Sequence, residues 1–368
     1  MGTLLKIKSI IMKIILLVIS ITFSSALMAQ ENGTTVLISD KKDSDQIKWI
    51  EGNFKLLESV NLDSLEIFSP YFLSLNDVGG LAMLDWDQRT LFYFSDEDFQ
   101  NPIRVGGKKG RGPGEYESPF DIYLSNDKKI WIPDSDLRKI DIWDLGSNKL
   151  HASYKLKNRF VKPDKIELCE DKDGKWEKIY ILSSQYGIGY EKKEGILYQY
   201  DIKDQQLINV DTFQELSIDN ERYPYVITGH IGCSNIGQLY YSGDFSGSIR
   251  KYDSNNELLF YRNAVNLEIK EPLFLKANND FTRYNPEAPR INGESFLIKN
   301  KLFVGHSRTK DRYIYAVDIY STEEGEYLYS FKLPVPAKEM AISESKIYLF
   351  EYAGKSGFNL KAYNYSIE

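Results

Sequence analysis

The sequence predicts an all-β protein, a six-bladed β-propeller of four-stranded blades. Three observations point there. One phrase of alternating apolar and polar residues recurs six times, two strand-like runs precede it in five of the copies and one in the first, and helical periodicity is almost absent after the N-terminal segment.

The recurring phrase is an apolar or aromatic alternation ending in Asp or Asn, then polar turn residues, then a second apolar run. A weak first copy is LFYFSDEDFQNPIRV (91–105). IDIWDLGSNKL (140–150), LYQYDIKDQQL (197–207), IRKYDSNNELL (249–259), IYAVDIYSTEEGEYL (314–328) and LKAYNYSIE (360–368) follow. The aligned polar residues Ser95, Asp144, Asp201, Asp253, Asp318 and Asn364 lie 49, 57, 52, 65 and 46 positions apart, a spacing that suits propeller blades. Ahead of each phrase stands a β-branched or aromatic run: LAMLDW (81–86), KIWIPD (129–134), KIYIL (178–182), QLYYSG (238–243), KLFVGH (301–306) and KIYLFE (346–351). A further apolar segment precedes five of these, as FDIYLS (120–125), DKIELCE (164–170), YVITGHIG (225–232), ESFLIK (294–299) and KEMAIS (338–343). Such runs, divided by Gly, Asn, Asp and Ser turns, read as strands. One or two large β-sandwiches would also be all-β, but six copies in register favour the propeller.

The last copy ends on its third strand at Glu368, while FKLLESVNL (54–62) reads as a strand with no partner of its own. Pairing the two would complete the last blade and close the ring, removing two exposed sheet edges. The expected organisation is a signal peptide over 1–29, a polar tail over 30–53 and one propeller domain over 54–368.

Lys6, Lys8 and Lys13 form a basic region, Ile14 to Phe23 an apolar one, and Ser24 to Ala29 a small-residue exit, the three parts of a secretory signal. The alternative is an uncleaved anchor helix, but the apolar run is shorter than the roughly 20 residues that span a membrane. Cleavage after Ala29 would leave no transmembrane span and place the chain outside the cytoplasm. The only cysteines are Cys169 and Cys233, so none follows the apolar region to accept lipid. In an exported protein these two are either one disulfide or two buried thiols. Cleavage removes three lysines and no acid, moving the net charge from −7 to −10. An acidic chain argues against nucleic acid as a partner, since phosphate binding needs a concentrated basic face.

GGKKGRGPGEYESPF (106–120) falls between the outermost strand of blade one and the innermost strand of blade two. No helix begins there and no Lys-Ser/Thr follows, so it lacks the context of a phosphate loop. Its glycines suit a rim-to-centre crossing, stiffened by Pro113. GRGPGEY (110–116), then a proline and a strand, then IWIPDSDLRKIDIWD (130–144), resembles the six-bladed propellers of exported bacterial proteins, the TolB-like and NHL-like group. The resemblance implies the fold and an extracytoplasmic location, and no catalytic residues. The irregular first blade and long insertions in blade three and between blades four and five depart from that pattern.

Propellers bind ligands at one mouth of the channel. His230 and His306, on adjacent blades, could meet Asp244 there as a metal site or a base–acid pair, although a strand histidine is more often a hydrogen-bonded structural residue. Phe281, Arg283, Tyr284 and Arg290 on the connection 271–290 are of the types that glycans and protein partners favour, against a plain crossing as the alternative. Arg111 and Glu115 are read first as a mutual ion pair or backbone cap, and second as ligand contacts. His151, on an outer strand, is a surface or packing residue, and Asp134, Asp136 and Arg138 shape a hairpin turn. The expectation is a binding or scaffold module for a glycan, peptide or envelope protein. The alternative is a propeller enzyme (lactonase, glycan lyase or hydrolase) with a metal or acid/base site at the channel mouth. No cofactor is indicated.

Overall fold

A computed structural model describes residues 37–38, 47–96, 98–159, 161–170, 176–183, 196–213, 228–264, 274–276, 282–284, 290–309, 313–354 and 357–367. The proposed signal segment lies outside them. Met1–Ile38 and Ser39–Glu368 are separate compact units, and the propeller belongs to the second.

Six small antiparallel sheets make a six-bladed β-propeller, with four sequential strands in each of blades one to five. Blade one is Pro70–Leu75, Leu81–Asp85, Thr90–Phe94 and Ile103–Gly106. Blade two is Tyr123–Leu124, Lys129–Asp134, Lys139–Asp144 and Lys149–Lys155. Blade three is Lys165–Glu170, Trp176–Leu182, Leu197–Asp201 and Gln206–Asp211. Blade four is Gly229–Cys233, Leu239–Gly243, Ser248–Tyr252 and Leu258–Asn263. Blade five is Arg290–Ile298, Lys301–Thr309, Ile314–Ser321 and Tyr327–Ala337, with Trp49–Ile50 added in parallel on its outer edge. Blade six is Met340–Ile342, Lys346–Tyr352 and Phe358–Ile367, and its outermost strand is Gly52–Asn61 from the other end of the chain. The inner strand of blade one, YFLSL, was not among the runs that the repeat pattern singled out. The only described helix is the single turn Asp63–Leu65.

The burial of each strand follows its place in this stack. Second strands such as Leu81–Asp85 and Leu239–Gly243 are buried at every position, because blades pack on both of their faces. The outermost strand Lys149–Lys155 alternates exposed and half-buried residues instead. Six apolar clusters occupy the faces between neighbouring blades. Ala82 and Leu84 of blade one meet Ile130 and Ile132 of blade two, for example, and Leu81 and Met83 meet Tyr348 and Phe350 of blade six.

The glycine stretch is a crossing, as its context suggests. A Cβ on Gly107 (φ +88°) would stand 2.3 Å from the carbonyl oxygen of Arg89, and one on Gly114 (φ +68°) 2.9 Å from the Trp143 ring. The loop is therefore wrapped on the Trp143 indole, whose Nε1 donates to Tyr116 Oη at 2.7 Å. The hairpin acids also do structural work. Asp134 accepts the N–H groups of Glu117, Ser118 and Leu137, and Asp85 likewise accepts those of Phe68, Ser69 and Gln88.

Cys169 and Cys233 form a disulfide, with Cα atoms 5.1 Å apart. It joins the inner strands of blades three and four, so of the two states that the sequence allowed, the structure has the bridge.

Candidate functional site

The inner strands of all six blades line one central cavity of about 990 Å³. A smaller chamber of about 180 Å³ shares Phe72, Lys165, Glu294 and Glu339 with it, and adds Phe120, Asp164, Asp244 and Arg290. Among the residues that line the central cavity, one near the head of each inner strand makes a ring of Phe72, Asp121, Lys165, His230, Glu294 and Glu339 in blade order. The residues that follow are the packing positions of the strands, such as Ile122, Ile166, Ile231 and Met340. Packing positions repeat from blade to blade because the interface repeats. The six ring positions carry a phenylalanine, an aspartate, a lysine, a histidine and two glutamates. Blade packing does not call for that diversity.

Blade one departs most. Phe72 has φ +53° and sits at a register shift between Tyr71 and Leu73, a bulge of the kind that re-aims a side chain. Its ring lies under Lys165 Nζ at 5.0 Å and against Trp86, which also packs on Phe120 at 5.3 Å.

The charged members are interlocked. Lys165 Nζ stands 3.6 Å from Asp121 Oδ1, and Asp121 Oδ2 accepts the N–H of Ile166 at 2.9 Å. Arg290 Nη2 donates to Glu294 Oε1 at 3.3 Å and Asp244 Oδ1 at 3.4 Å, and lies 2.9 Å from His230 Nε2. That same Nε2 is 3.2 Å from Asp244 Oδ1. It accepts from Arg290 when it carries no proton and donates to Asp244 when it does.

Burial alone would make every acid here harder to ionise, so its neighbours decide each one. For Asp244 burial is outweighed by Arg290 and His230, which hold it well below the usual carboxylate range. Glu294 is likewise brought down to about 2 against its burial, chiefly by Arg290. Glu339 goes the other way: burial and then the Glu294 charge push it well above the usual carboxylate range. Asp121 is raised by burial, with Lys165 opposing. Arg290 and Lys165 both stay charged, because nearby carboxylates outweigh the burial that works against them.

Of the residues proposed from sequence, the structure brings His230, Asp244 and Arg290 together. His306 is engaged elsewhere: its Nδ1 lies 3.2 Å from buried Asp318 Oδ1, which also accepts from Ser330 Oγ at 2.6 Å. Phe281 lies outside the described residues. Arg283 and Tyr284 fall on a two-stranded hairpin of Phe274–Lys276 with Thr282–Tyr284, described in its backbone alone. Glu115 is a backbone cap that accepts the N–H groups of Arg111 and Gly112 at 2.9 and 2.7 Å. Its ion partner is Lys108, and Arg111 pairs with Glu117. Phe72, Asp121, Lys165, Glu294 and Glu339 were missed. The signal that finds them is positional: a residue at the head of each inner-strand run that differs from blade to blade.

Among the described residues no group of three or more His, Cys, Asp or Glu side chains is arranged to hold a metal ion, and none of the helices is long and apolar enough to cross a membrane. No protein-family model matches the sequence, and no curated protein matches it. Among solved structures, the chain is similar to a putative exported protein from Bacteroides fragilis, with a TM-score of 0.57 at 14% identity, covering 91% of this chain and 100% of that one. It also matches a virginiamycin B lyase from Staphylococcus aureus (TM-score 0.44, 11% identity, 85% and 99% covered) and a gluconolactonase from Xanthomonas campestris (0.47, 11%, 87% and 87%). At these identities the likeness speaks to fold alone.

Proposed function

We propose that the protein is an extracytoplasmic propeller that binds a ligand, a glycan or peptide or a projecting group of an envelope protein, in its central cavity. The observation that carries this is the ring of six different residues at equivalent positions of six similar blades. A scaffold that needed only to pack would repeat there. The signal-like N-terminal segment, the Cys169–Cys233 bridge and the likeness to an exported protein support an oxidising, extracytoplasmic setting, in line with the TolB-like and NHL-like resemblance.

A thermal-shift screen of the purified protein against oligosaccharides and peptides tests the reading, since a ligand of the folded state raises the melting temperature. The shift is expected in the parent protein and not in Asp121→Asn or Phe72→Ala. A ligand that stabilises both variants as well as the parent would place binding outside the ring. One observation favours the enzyme reading as second choice. Glu294 and Glu339 are neighbouring acids whose surroundings push them in opposite directions from the ordinary range, as acid–base chemistry requires. Turnover of a bound ligand, lost in Glu339→Gln, would select it.

A further inference from the structure

We propose that the ligand is a chain, an oligosaccharide of several units, held by one end in the central cavity and continued along a groove between blades five and six. This rests on the central cavity being the ligand site.

A further cavity of about 540 Å³ lies beside the central one. Ile298, Lys299 and Glu344 line both, so the two adjoin at the first turns of blades five and six. Each volume falls in the range of small-molecule sites, roughly 300–1,000 Å³. The second cavity takes a lining residue from every strand of blade five, Ile298, Lys301, Ser321 and Tyr329 in order from the centre outward. Tyr365 and Ser366 of blade six line it from the other side. Three strand spacings of about 4.8 Å make this groove about 14 Å long, more than one sugar ring or one amino-acid side chain fills. A ligand that uses both cavities is therefore extended. Where they adjoin, Lys299 and Glu344 are paired at 2.9 Å with their side chains 72% and 61% exposed. A pair so exposed contributes about 1 kcal/mol or less. Ligand hydroxyls can replace either partner at little cost, and hydrogen bonds to a charged group are the stronger kind.

A peptide is the other extended ligand to weigh, and the strand edges disfavour it. Main-chain recognition adds a strand to a free edge. Blade five's outermost strand already carries Trp49–Ile50 against Ser330 and Phe331, and Phe358–Ile367 of blade six is covered by Gly52–Asn61. The groove offers side chains instead: the Asn300 amide, the Ser321 and Ser366 hydroxyls, and the Tyr329 ring beside Leu328. Lys301 Nζ donates to Tyr329 Oη at 2.8 Å, which fixes the position of that ring. Sugar units carry hydroxyls around apolar CH faces, and so match the polar groups and the ring together.

Isothermal titration calorimetry with the dimer and hexamer of three series, β-1,4-glucan, chitin and galacturonan, tests the inference, with hexaalanine run alongside. In a series that binds, the hexamer is expected to bind tighter than the dimer by about tenfold or more, the gain from the groove contacts. Tyr329→Ala should remove that gain. Ser366→Leu, which adds bulk at an exposed position lining the groove, should remove it too. It serves as the test if Tyr329→Ala fails to give a folded melting curve. Asp121→Asn should weaken dimer and hexamer alike, because it acts in the central cavity. Equal affinity of dimer and hexamer, or a gain that survives both groove variants, would overturn the inference and leave the cavity reading in place. Binding of hexaalanine that depends on Asp121 and Tyr329, with no sugar bound, would overturn the oligosaccharide and assign the groove to a peptide. If no probe of any class binds, the cavity reading falls with it.

Discussion

Glu294 and Glu339 titrate on opposite sides of their ordinary range, and the pH profile of folding should carry both signatures. Glu294 sits near 2 in the folded chain against 4.5 unfolded, so its contribution is present above 4.5 and is lost as pH falls towards 2. Glu339 is raised above its ordinary 4.5, so the folded state holds a proton that the unfolded state releases, and stability declines as pH rises from 4.5 towards its folded value. Glu339→Gln keeps the neutral shape without the proton. Its melting temperature should fall less than that of the parent as pH rises above the ordinary glutamate range; parallel curves would mean that Glu339 ionises normally. Glycines offer a second contrast. Gly107→Ala combines φ +88° with a Cβ 2.3 Å from a backbone oxygen, and should cost about 2 kcal/mol or more in urea unfolding. Gly232→Ala, with nothing within 4 Å of the new Cβ, should stay within about 0.5 kcal/mol of the parent. Much of the site was hidden at this scale. Asp121, Lys165 and Glu339 look in sequence like ordinary polar residues at strand boundaries, because strand periodicity says which face a residue takes and not which six strands share a centre. His306 misled for the converse reason: its end-of-strand position resembles that of a mouth residue, while its partner Asp318 lies on the next strand of its own blade.

Between neighbouring elements the Cys169–Cys233 bridge is the one covalent link. It ties two inner strands that are 64 residues apart in sequence. Closing a loop of that length restricts the unfolded chain by about 4 kcal/mol in the chain-entropy estimate. Urea unfolding with and without reductant should therefore show a lower midpoint for the reduced protein, with the slope altered by the more open denatured state. An unchanged midpoint would mean that the inner strands of blades three and four hold as well without it. Strand-level organisation was the most legible part of the sequence. Second and third strands pack on both faces and therefore recur as KIWIPD or IRKYD, and the hairpin acids Asp85 and Asp134 mark their turns. The inner strand of blade one escaped because Phe72 interrupts its alternation with a bulge, which the period-two pattern cannot represent. The bridge itself was undecidable, since nothing in the spacing of two cysteines says that their strands are neighbours.

For the whole molecule, the strand Gly52–Asn61 has the most far-reaching position. It pairs with Phe358–Ile367 along its length and places Val60 in the apolar cluster that blade six shares with blade one. A chain beginning at residue 62 would leave Phe358–Ile367 as a bare edge and strip part of that cluster, while a chain beginning at residue 47 would keep both. If this strand is what joins the ends of the ring, the shorter chain should melt lower by on the order of 10 °C or more, since several kcal/mol of pairing and burial go at once. It should also self-associate through the free edge. The decisive arm is addition in trans: a synthetic peptide of residues 47–62 should restore the melting temperature of the shorter chain in a concentration-dependent way, because it binds only the folded state. Equal melting of the two chains would show that the blade-one and blade-six faces hold together through side-chain packing alone. Failure of the peptide to rescue an otherwise destabilised chain would instead assign the loss to the cluster around Val60, which Val60→Ala in the full chain would reproduce.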